Sequence, residues 1–210
     1  MLKLSSNSIR KYKRLMETSE ELFSTMGYKA VSMDQIAEAA GISKMTIYKH
    51  FKSKEELFIS VILDLMNRHY EVIENKLFKI TGTMEKINYL MFYSLEGAKE
   101  FSLDFYKDIM TIPQIMNTVL IEKNKKNKVL FKRIIVDGME KREIRKLDPD
   151  FVAEALITMV ELIGKKYFNS IETKDDLQDM TKNIFDILKY GLLGGMEVNK
   201  NGQQRSVNES

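Results

Sequence analysis

A polar segment near the N-terminus of the sequence concentrates side chains that can bind a polyanion. It combines cations, hydroxyl groups, a thioether and an aromatic ring in the set Ser43, Lys44, Met45, Thr46, Tyr48, Lys49 and His50. Such groups donate hydrogen bonds to phosphate oxygens and to base edges in the major groove, and Met can contact a thymine methyl group. Ile47 and Phe51 lie four positions apart in this segment, so a helix would have one apolar face and one polar face. The pattern is typical of a helix that reads DNA.

The residues before this segment predict two short helices around a glycine turn. Ser32 followed three residues later by Gln35 forms a capping box that opens the first of them. Gly41 stops that helix, and Ser43 can cap the next one. The side chains between these signals are apolar and small enough for close helix packing: Ile36, Ala37, Ala40 and Ile42. This arrangement is a helix-turn-helix.

Two longer helices flank the predicted helix-turn-helix. A stripe of apolar residues predicts a first helix from about Ile9 to Met26, and Gly27 follows it as a left-handed cap. Ser53 and Glu56 form a second capping box, which opens a long fourth helix. The first three helices would therefore form a compact module with the polar segment on its surface.

The remaining sequence is also predicted to be helical, so the fold class is all-α with about nine helices. A fifth helix starts near Met84, and further helices cover Phe101–Met110, Gln114–Glu140, Pro149–Phe168 and Lys174–Leu193, because apolar residues recur every three or four positions. We expect a DNA-binding domain over residues 1–54, a regulatory and dimerisation domain over residues 55–198, and a polar, disordered tail over residues 199–210.

Composition and charge exclude several classes of function. Residues 1–54 contain ten Lys or Arg and five Asp or Glu, a net charge of +5, whereas the whole chain carries +3. The sequence has no cysteine, no apolar run long enough for a membrane span and no secretory signal, so we expect a cytoplasmic protein. It lacks a phosphate-binding glycine loop, a nucleophile elbow and a His/Glu metal spacing. We therefore expect neither an enzyme nor a cofactor or metal site.

The N-terminal quarter resembles a known family. Its residues 23–27, 32–40 and 41–57 follow the signature of the TetR family of bacterial transcriptional regulators almost position for position. The resemblance implies a homodimer that binds double-stranded DNA at a pseudo-palindromic operator. It also implies that the remaining helical domain dimerises and binds a small-molecule effector, whose identity does not transfer.

The resemblance also assigns roles to individual residues. Ser32 would cap the second helix and touch a phosphate, and Lys54 would add its charge to a phosphate. Lys44 and Lys49 are candidates for base reading. The predicted DNA-binding set is Ser32, Ser43, Lys44, Met45, Thr46, Tyr48, Lys49, His50 and Lys54.

The basic residues of the first helix and its N-terminal side have two equally good interpretations. They are either an ordinary exposed face or an arm that contacts phosphates or the minor groove, and the set is Lys3, Arg10, Lys11, Lys13 and Arg14. The later run of lysines, at positions 123, 125, 126 and 128, favours a solvated helix face.

The C-terminal part is rich in methionine and aromatic side chains. These can line an adaptable pocket, although the same spacing is more often simple core. The candidate pocket residues are Tyr89, Phe92, Tyr93, Phe105, Tyr106, Met110, Met116, Met159 and Glu161, of which Glu161 is also a candidate for an outward-facing carboxylate. We expect an apolar ligand between the fifth and eighth helices to act by moving the fourth helix, and the last two helices to form the dimer interface.

The function predicted from the sequence is a sequence-specific repressor that a small, largely apolar ligand releases from its operator. The alternatives are a ligand-independent regulator or an activator of the same family, and a helical scaffold that does not bind DNA.

Overall fold

The computed structural model describes residues 6–193, and within that range the chain folds into nine α-helices and one short 3-10 helix without any strand. The α-helices are α1 (Ser6–Ala30), α2 (Met33–Ala40), α3 (Lys44–Tyr48), α4 (Lys54–Leu77), α5 (Thr83–Glu100), α6 (Leu103–Thr111), α7 (Pro113–Glu140), α8 (Pro149–Tyr167) and α9 (Lys174–Leu193). The all-α prediction is confirmed, whereas the predicted tail over residues 199–210 lies outside the described residues. None of the helices over residues 6–193 is apolar over enough of its length to cross a membrane.

The predicted capping residues lie at the ends of the observed helices. The Ser32 hydroxyl accepts a hydrogen bond from the Gln35 backbone N–H at 3.2 Å, and the Gln35 side chain accepts one from the Ser32 N–H at 2.7 Å. Gly41 ends α2 in the left-handed conformation, with φ 61° and ψ 40°. At the start of α4, the Ser53 hydroxyl accepts from the Glu56 N–H, but the Glu56 carboxylate accepts from Lys52 rather than from Ser53.

The backbone conformation of Gly27 differs from the predicted left-handed cap. The first helix runs past it to Ala30, but Gly27 itself is non-helical, with φ 80° and ψ 167°. The positive φ is one that glycine adopts without steric cost, whereas the ψ is extended and does not make a left-handed cap. Gly27 is therefore a kink, and the last residues of α1 leave it in a new direction.

The chain divides into two compact units. The first unit runs to Val72 and resumes over Gly97–Lys125, and the second comprises Ile73–Glu96 and the residues from Lys126 onward. The first unit is larger than the predicted DNA-binding domain, because α6 and the start of α7 share its core. The end of the DNA-binding domain at residue 54 therefore stays a prediction, because the compact units do not define it.

The core of the first unit joins the helix-turn-helix to α4, α6 and α7. Phe23 and Phe58 are completely buried with ring centroids 4.8 Å apart, and Phe105 of α6 lies 5.7 Å from Phe58. Ile47 of α3 and Ile115 of α7 belong to the same cluster. The helix that carries the polar segment is thus held in place by burial, because a helix of five residues is not stable alone.

The second unit is held by ion pairs as well as by apolar contacts. Lys86 of α5, nearly buried, pairs with Asp137 of α7. Burial opposes ionisation of Asp137, but hydrogen bonds from Lys141 and Lys86 outweigh it and hold its pKa below the usual value. Lys132 of α7 reaches Asp150 at the start of α8, with 2.7 Å between Nζ and Oδ2.

We expect replacement by alanine to have opposite effects on stability at two serines of the first unit. Ser19 is fully buried, and among the described residues its hydroxyl has no hydrogen-bond partner, whereas the Ser32 hydroxyl caps α2. We expect Ser19→Ala to raise the free energy of unfolding by up to about 1 kcal/mol, because an unsatisfied buried hydroxyl is removed. Ser32→Ala should lower it by about 1 kcal/mol. Urea unfolding of both variants checks the signs, and a loss of stability in Ser19→Ala would contradict the assignment.

Candidate nucleic-acid interface

The helix-turn-helix presents a polar surface because α3 has only one buried side chain. Ile47 is completely buried, and Phe51, just after the helix, is 5% exposed. On the outer side, Met45 is 70% exposed and Tyr48 is 45% exposed, and Lys49 and His50 are also exposed. The predicted polar and apolar faces of this segment are therefore separated in the structure.

The start of α3 is fixed by hydroxyl groups. Ser43 caps the helix by accepting from the Thr46 N–H at 3.2 Å, and the Ser43 and Thr46 hydroxyls lie 2.8 Å apart. Ser32, at the start of α2, is likewise exposed beside its capping bond. All three hydroxyls keep hydrogen-bonding capacity, since an oxygen that accepts one bond has a second lone pair.

Lys44 is paired within the protein. Its ammonium lies 2.9 Å from the Asp34 carboxylate of α2, and both side chains are exposed. The hydrogen bond to Asp34 raises the pKa of Lys44. An exposed ion pair of this kind is weak, so Lys44 can exchange the carboxylate for a DNA acceptor. The spacing of Asp34 and Lys44, ten positions apart, does not by itself indicate this ion pair.

The first helix adds an aromatic side chain beside the polar segment. Tyr12 of α1 makes an edge contact with His50, with 5.3 Å between ring centroids, and stacks on Phe51 at 6.1 Å. Arg14 lies over the turn, since a Cβ at Gly41 would be 3.3 Å from its Nη2. The helical period of α1 alone does not indicate the contact of Tyr12 with His50.

Lys54 is bound to the backbone of the turn over residues 28–31, which follows the kink of α1 at Gly27 and leads to α2. Its ammonium donates to the carbonyl oxygens of Tyr28 and Val31, each at 2.8 Å, and lies 4.2 Å from the centre of the Tyr28 ring. Burial lowers the pKa of Lys54. An ammonium has three donors, so one donor is left for a phosphate after these two bonds.

These contacts predict that Lys54→Ala affects folding as well as DNA binding. Hydrogen bonds from a charged group are worth about 1.5–3 kcal/mol, so we expect a loss of that size in the free energy of unfolding. If Lys54 also binds a phosphate, the salt slope of DNA binding falls by about one unit. Urea unfolding and titrations at several salt concentrations measure the two effects, with Lys52→Ala, an exposed neighbour, as the control. Unchanged stability would contradict the role at the turn.

The candidate pocket residues fall into both units. In the first unit, Phe105 packs in the core at 4.9 Å from Phe101, and the Tyr106 hydroxyl donates to the Gly97 carbonyl at 2.9 Å. Met110 and Met116 of this unit are partly buried. The burial of Phe105 supports the core alternative for that residue.

The other candidates belong to the second unit. Tyr89 and Tyr93 of α5 lie 5.9 Å apart, whereas Phe92 is 61% exposed. Glu161 of α8 pairs with Lys165 at 2.5 Å on the same helix, which agrees with the alternative of a surface carboxylate. Met159 lines a shallow apolar groove on α8.

The geometry of α2, the glycine turn and α3 defines a helix-turn-helix DNA-binding protein, and comparisons with known proteins show which regulators this domain resembles. Residues 15–61 match the family model described as bacterial regulatory proteins, tetR family. The match assigns residues 15–61 to the DNA-binding domain of that family, and the chain is a helix-turn-helix transcriptional regulator.

Three known proteins illustrate the similarity. The HTH-type transcriptional regulator YhgD of Bacillus subtilis is 26% identical over 72% of this chain and 81% of its own length. The fatty acid metabolism regulator protein of Bacillus subtilis is 25% identical over 87% of this chain and 95% of its own. The solved structure of FadR from Bacillus subtilis in complex with stearoyl-CoA superposes with a TM-score of 0.61 at 19% identity, covering 86% of this chain and 99% of that one. This last similarity concerns the fold.

Proposed function

We propose that this regulator is a cytoplasmic, homodimeric repressor that binds a pseudo-palindromic operator and leaves it when a largely apolar ligand binds. The division of α3 into a buried Ile47 and an exposed set of polar side chains carries the proposal. Ser43, Thr46, Tyr48 and Lys49 have the donors that phosphates and base edges accept. Nothing in this role requires a chemical step, so the protein acts by binding and not as an enzyme.

The exposed face of α8 supports dimerisation. Ala153 and Ile157 face the core of their own unit, whereas Phe151 is 71% and Leu162 is 61% exposed. These two residues line a largely apolar groove together with Glu154, Ala155, Thr158, Met159 and Ile163. An apolar stripe of this length on a helix surface marks a protein interface, and a two-fold axis would pair it with itself.

Leu162→Asp is therefore expected to dissociate the dimer. A carboxylate buried in an apolar interface loses its water without gaining a partner, so we expect the dissociation constant to rise by at least about a hundredfold. Analytical ultracentrifugation across micromolar concentrations measures it. Val129→Asp, on a side chain that is 66% exposed on α7, is the matched control and should leave the dimer intact. A wild-type protein that sediments only as a monomer would contradict the proposal.

Long-chain acyl-CoA is the first ligand class to test. The support comes from the relative named as a fatty acid metabolism regulator and from the solved neighbour in complex with stearoyl-CoA. Tyr89 and Tyr93 of the second unit are retained as predicted lining residues, because aromatic rings suit an acyl chain, whereas Met159 lines the groove proposed as the dimer interface.

The decisive experiment selects DNA and then adds the ligand. Wild-type protein is used to select duplexes from a random library, and its affinity for the selected duplex is measured with and without stearoyl-CoA. Free CoA controls for the headgroup. A hundredfold loss of affinity corresponds to about 2.7 kcal/mol of coupling, and the duplex must then weaken stearoyl-CoA binding by the same factor. Equal stearoyl-CoA affinity with and without the duplex would contradict ligand release and favour the ligand-independent regulator.

The remaining alternatives give different outcomes. A reporter gene behind the selected duplex is silenced by a repressor and induced by an activator. A helical scaffold would select no duplex and would lack the steep salt dependence of a protein that neutralises several phosphates.

A further inference from the structure

The turn over residues 28–31 is held by a buried carboxylate that lies far away in the sequence. Asp108 of α6 accepts the Lys29 backbone N–H at 3.0 Å through Oδ2, and its Oδ1 lies 3.0 Å from the Lys29 ammonium. Asp108 is only 5% exposed. A buried carboxylate is retained only where hydrogen bonds and an opposite charge compensate for its lost hydration, and Lys29 provides both.

α1 and α6 pack closely together at the kink of α1. A Cβ on Gly27 would lie 3.0 Å from Asp108 Oδ2 and 3.0 Å from Asp104 Cβ, so a larger residue would press against α6 here. A second contact is made at the N-terminal end of α6, where the Ser102 N–H donates to the Ser24 carbonyl at 2.8 Å. The N-terminal end and the middle of α6 are therefore fastened to the same stretch of α1.

This turn determines where α2 begins. It leads through the buried Val31 to Ser32, the cap of α2. Lys54 of α4 binds two carbonyls of the same turn, so groups from α4 and α6 fix it together. Since α2 packs on α1 and continues directly into α3, a shift of the turn changes the orientation of the polar segment. Recognition sites tolerate only about 0.5 Å of such displacement.

We propose that Asp108 is a positioning residue for DNA recognition. It touches no DNA itself, but its carboxylate fixes the turn that orients α2 and α3. The DNA-binding machinery then includes α6, which lies beyond the family match at residues 15–61. This inference rests on the proposed DNA binding, and it adds a determinant of sequence recognition outside the polar segment.

The test compares Asp108→Asn with Asp104→Asn in the full-length protein. Both variants remove one negative charge from α6, and Asp104 is exposed. For Asp108→Asn we expect the affinity for the duplex selected by wild-type protein to fall by about tenfold or more, while the affinity for a random duplex does not fall, because no cation is lost. Asp104→Asn should keep the wild-type ratio of the two affinities. A purely structural role would lower the melting temperature of Asp108→Asn and leave that ratio unchanged, which would overturn the proposal.

Two further measurements separate the remaining explanations. Lys29→Met keeps the backbone N–H and should retain most of the discrimination between the two duplexes. If Lys29→Met loses as much discrimination as Asp108→Asn, the effect comes from a direct contact of the Lys29 ammonium with DNA, and the positioning role is overturned. Hydrogen exchange of the free protein should show faster exchange at the Lys29 amide and at the start of α2 in Asp108→Asn but not in Asp104→Asn. Unchanged exchange there would refute the proposal without DNA, whereas a wild-type protein that selects no duplex refutes the proposed function instead.

Discussion

Phe58→Ala is expected to lower the free energy of unfolding by about 3–5 kcal/mol, the range for truncating a buried phenylalanine. Phe58 is completely buried, and three rings surround it at centroid distances of 4.8 Å (Phe23), 5.0 Å (Tyr28) and 5.7 Å (Phe105). These rings come from α1, the turn and α6, so the cavity would open where the first unit is held together. Such a loss is a large part of the stability of an ordinary domain.

Phe92→Ala is the matched control for this measurement, because the same side chain is 61% exposed on α5. It should change the free energy of unfolding by no more than about 0.5 kcal/mol. Guanidinium unfolding followed by circular dichroism measures both variants. A loss below about 1 kcal/mol in Phe58→Ala would mean that this cluster is not the core of the first unit.

The second large effect is expected from the double substitution Tyr48→Ala with Lys49→Ala. Both side chains are exposed on the polar segment, so their removal should not alter folding. Each contact to phosphate or base is worth about 1–3 kcal/mol, and the loss of two predicts a roughly hundredfold or greater drop in affinity for the selected duplex.

Fluorescence anisotropy at one fixed salt concentration measures this drop. Lys76→Ala removes the same positive charge from an exposed position on α4 and should leave the affinity within about twofold. Double-variant protein with the wild-type melting temperature and wild-type affinity would show that DNA is bound by another surface.

The elements that the sequence predicts correctly are those determined by neighbouring residues. Ser32 with Gln35, Gly41 and Ser43 act over three or four positions, and each forms the predicted cap. The separation of Ile47 from Tyr48 follows from the helical period in the same way. Local hydrogen bonding and periodicity are therefore sufficient to predict the helix-turn-helix and its exposed face.

Contacts between distant residues could not be predicted from such signals. Lys29 and Asp108 are separated by 79 positions, and no spacing rule connects them. Lys54 was assigned only to a phosphate, because its two backbone acceptors belong to a turn whose path is set by tertiary packing. The pairing of Lys44 with Asp34 likewise depends on the angle between α2 and α3. Gly27 carried a usable signal, since its position after an apolar stripe indicated a positive φ.

The short α3 has a consequence for how this protein can evolve. Of its five residues only Ile47 is buried, so the neighbouring outward positions carry little of the folding free energy. If Met45, Tyr48 and Lys49 read DNA as proposed, we expect substitutions there to alter operator preference one position at a time without first lowering the melting temperature. A library randomised at these three positions should yield mostly folded proteins with divergent DNA preferences, so a duplicated copy could acquire new target genes through single mutations.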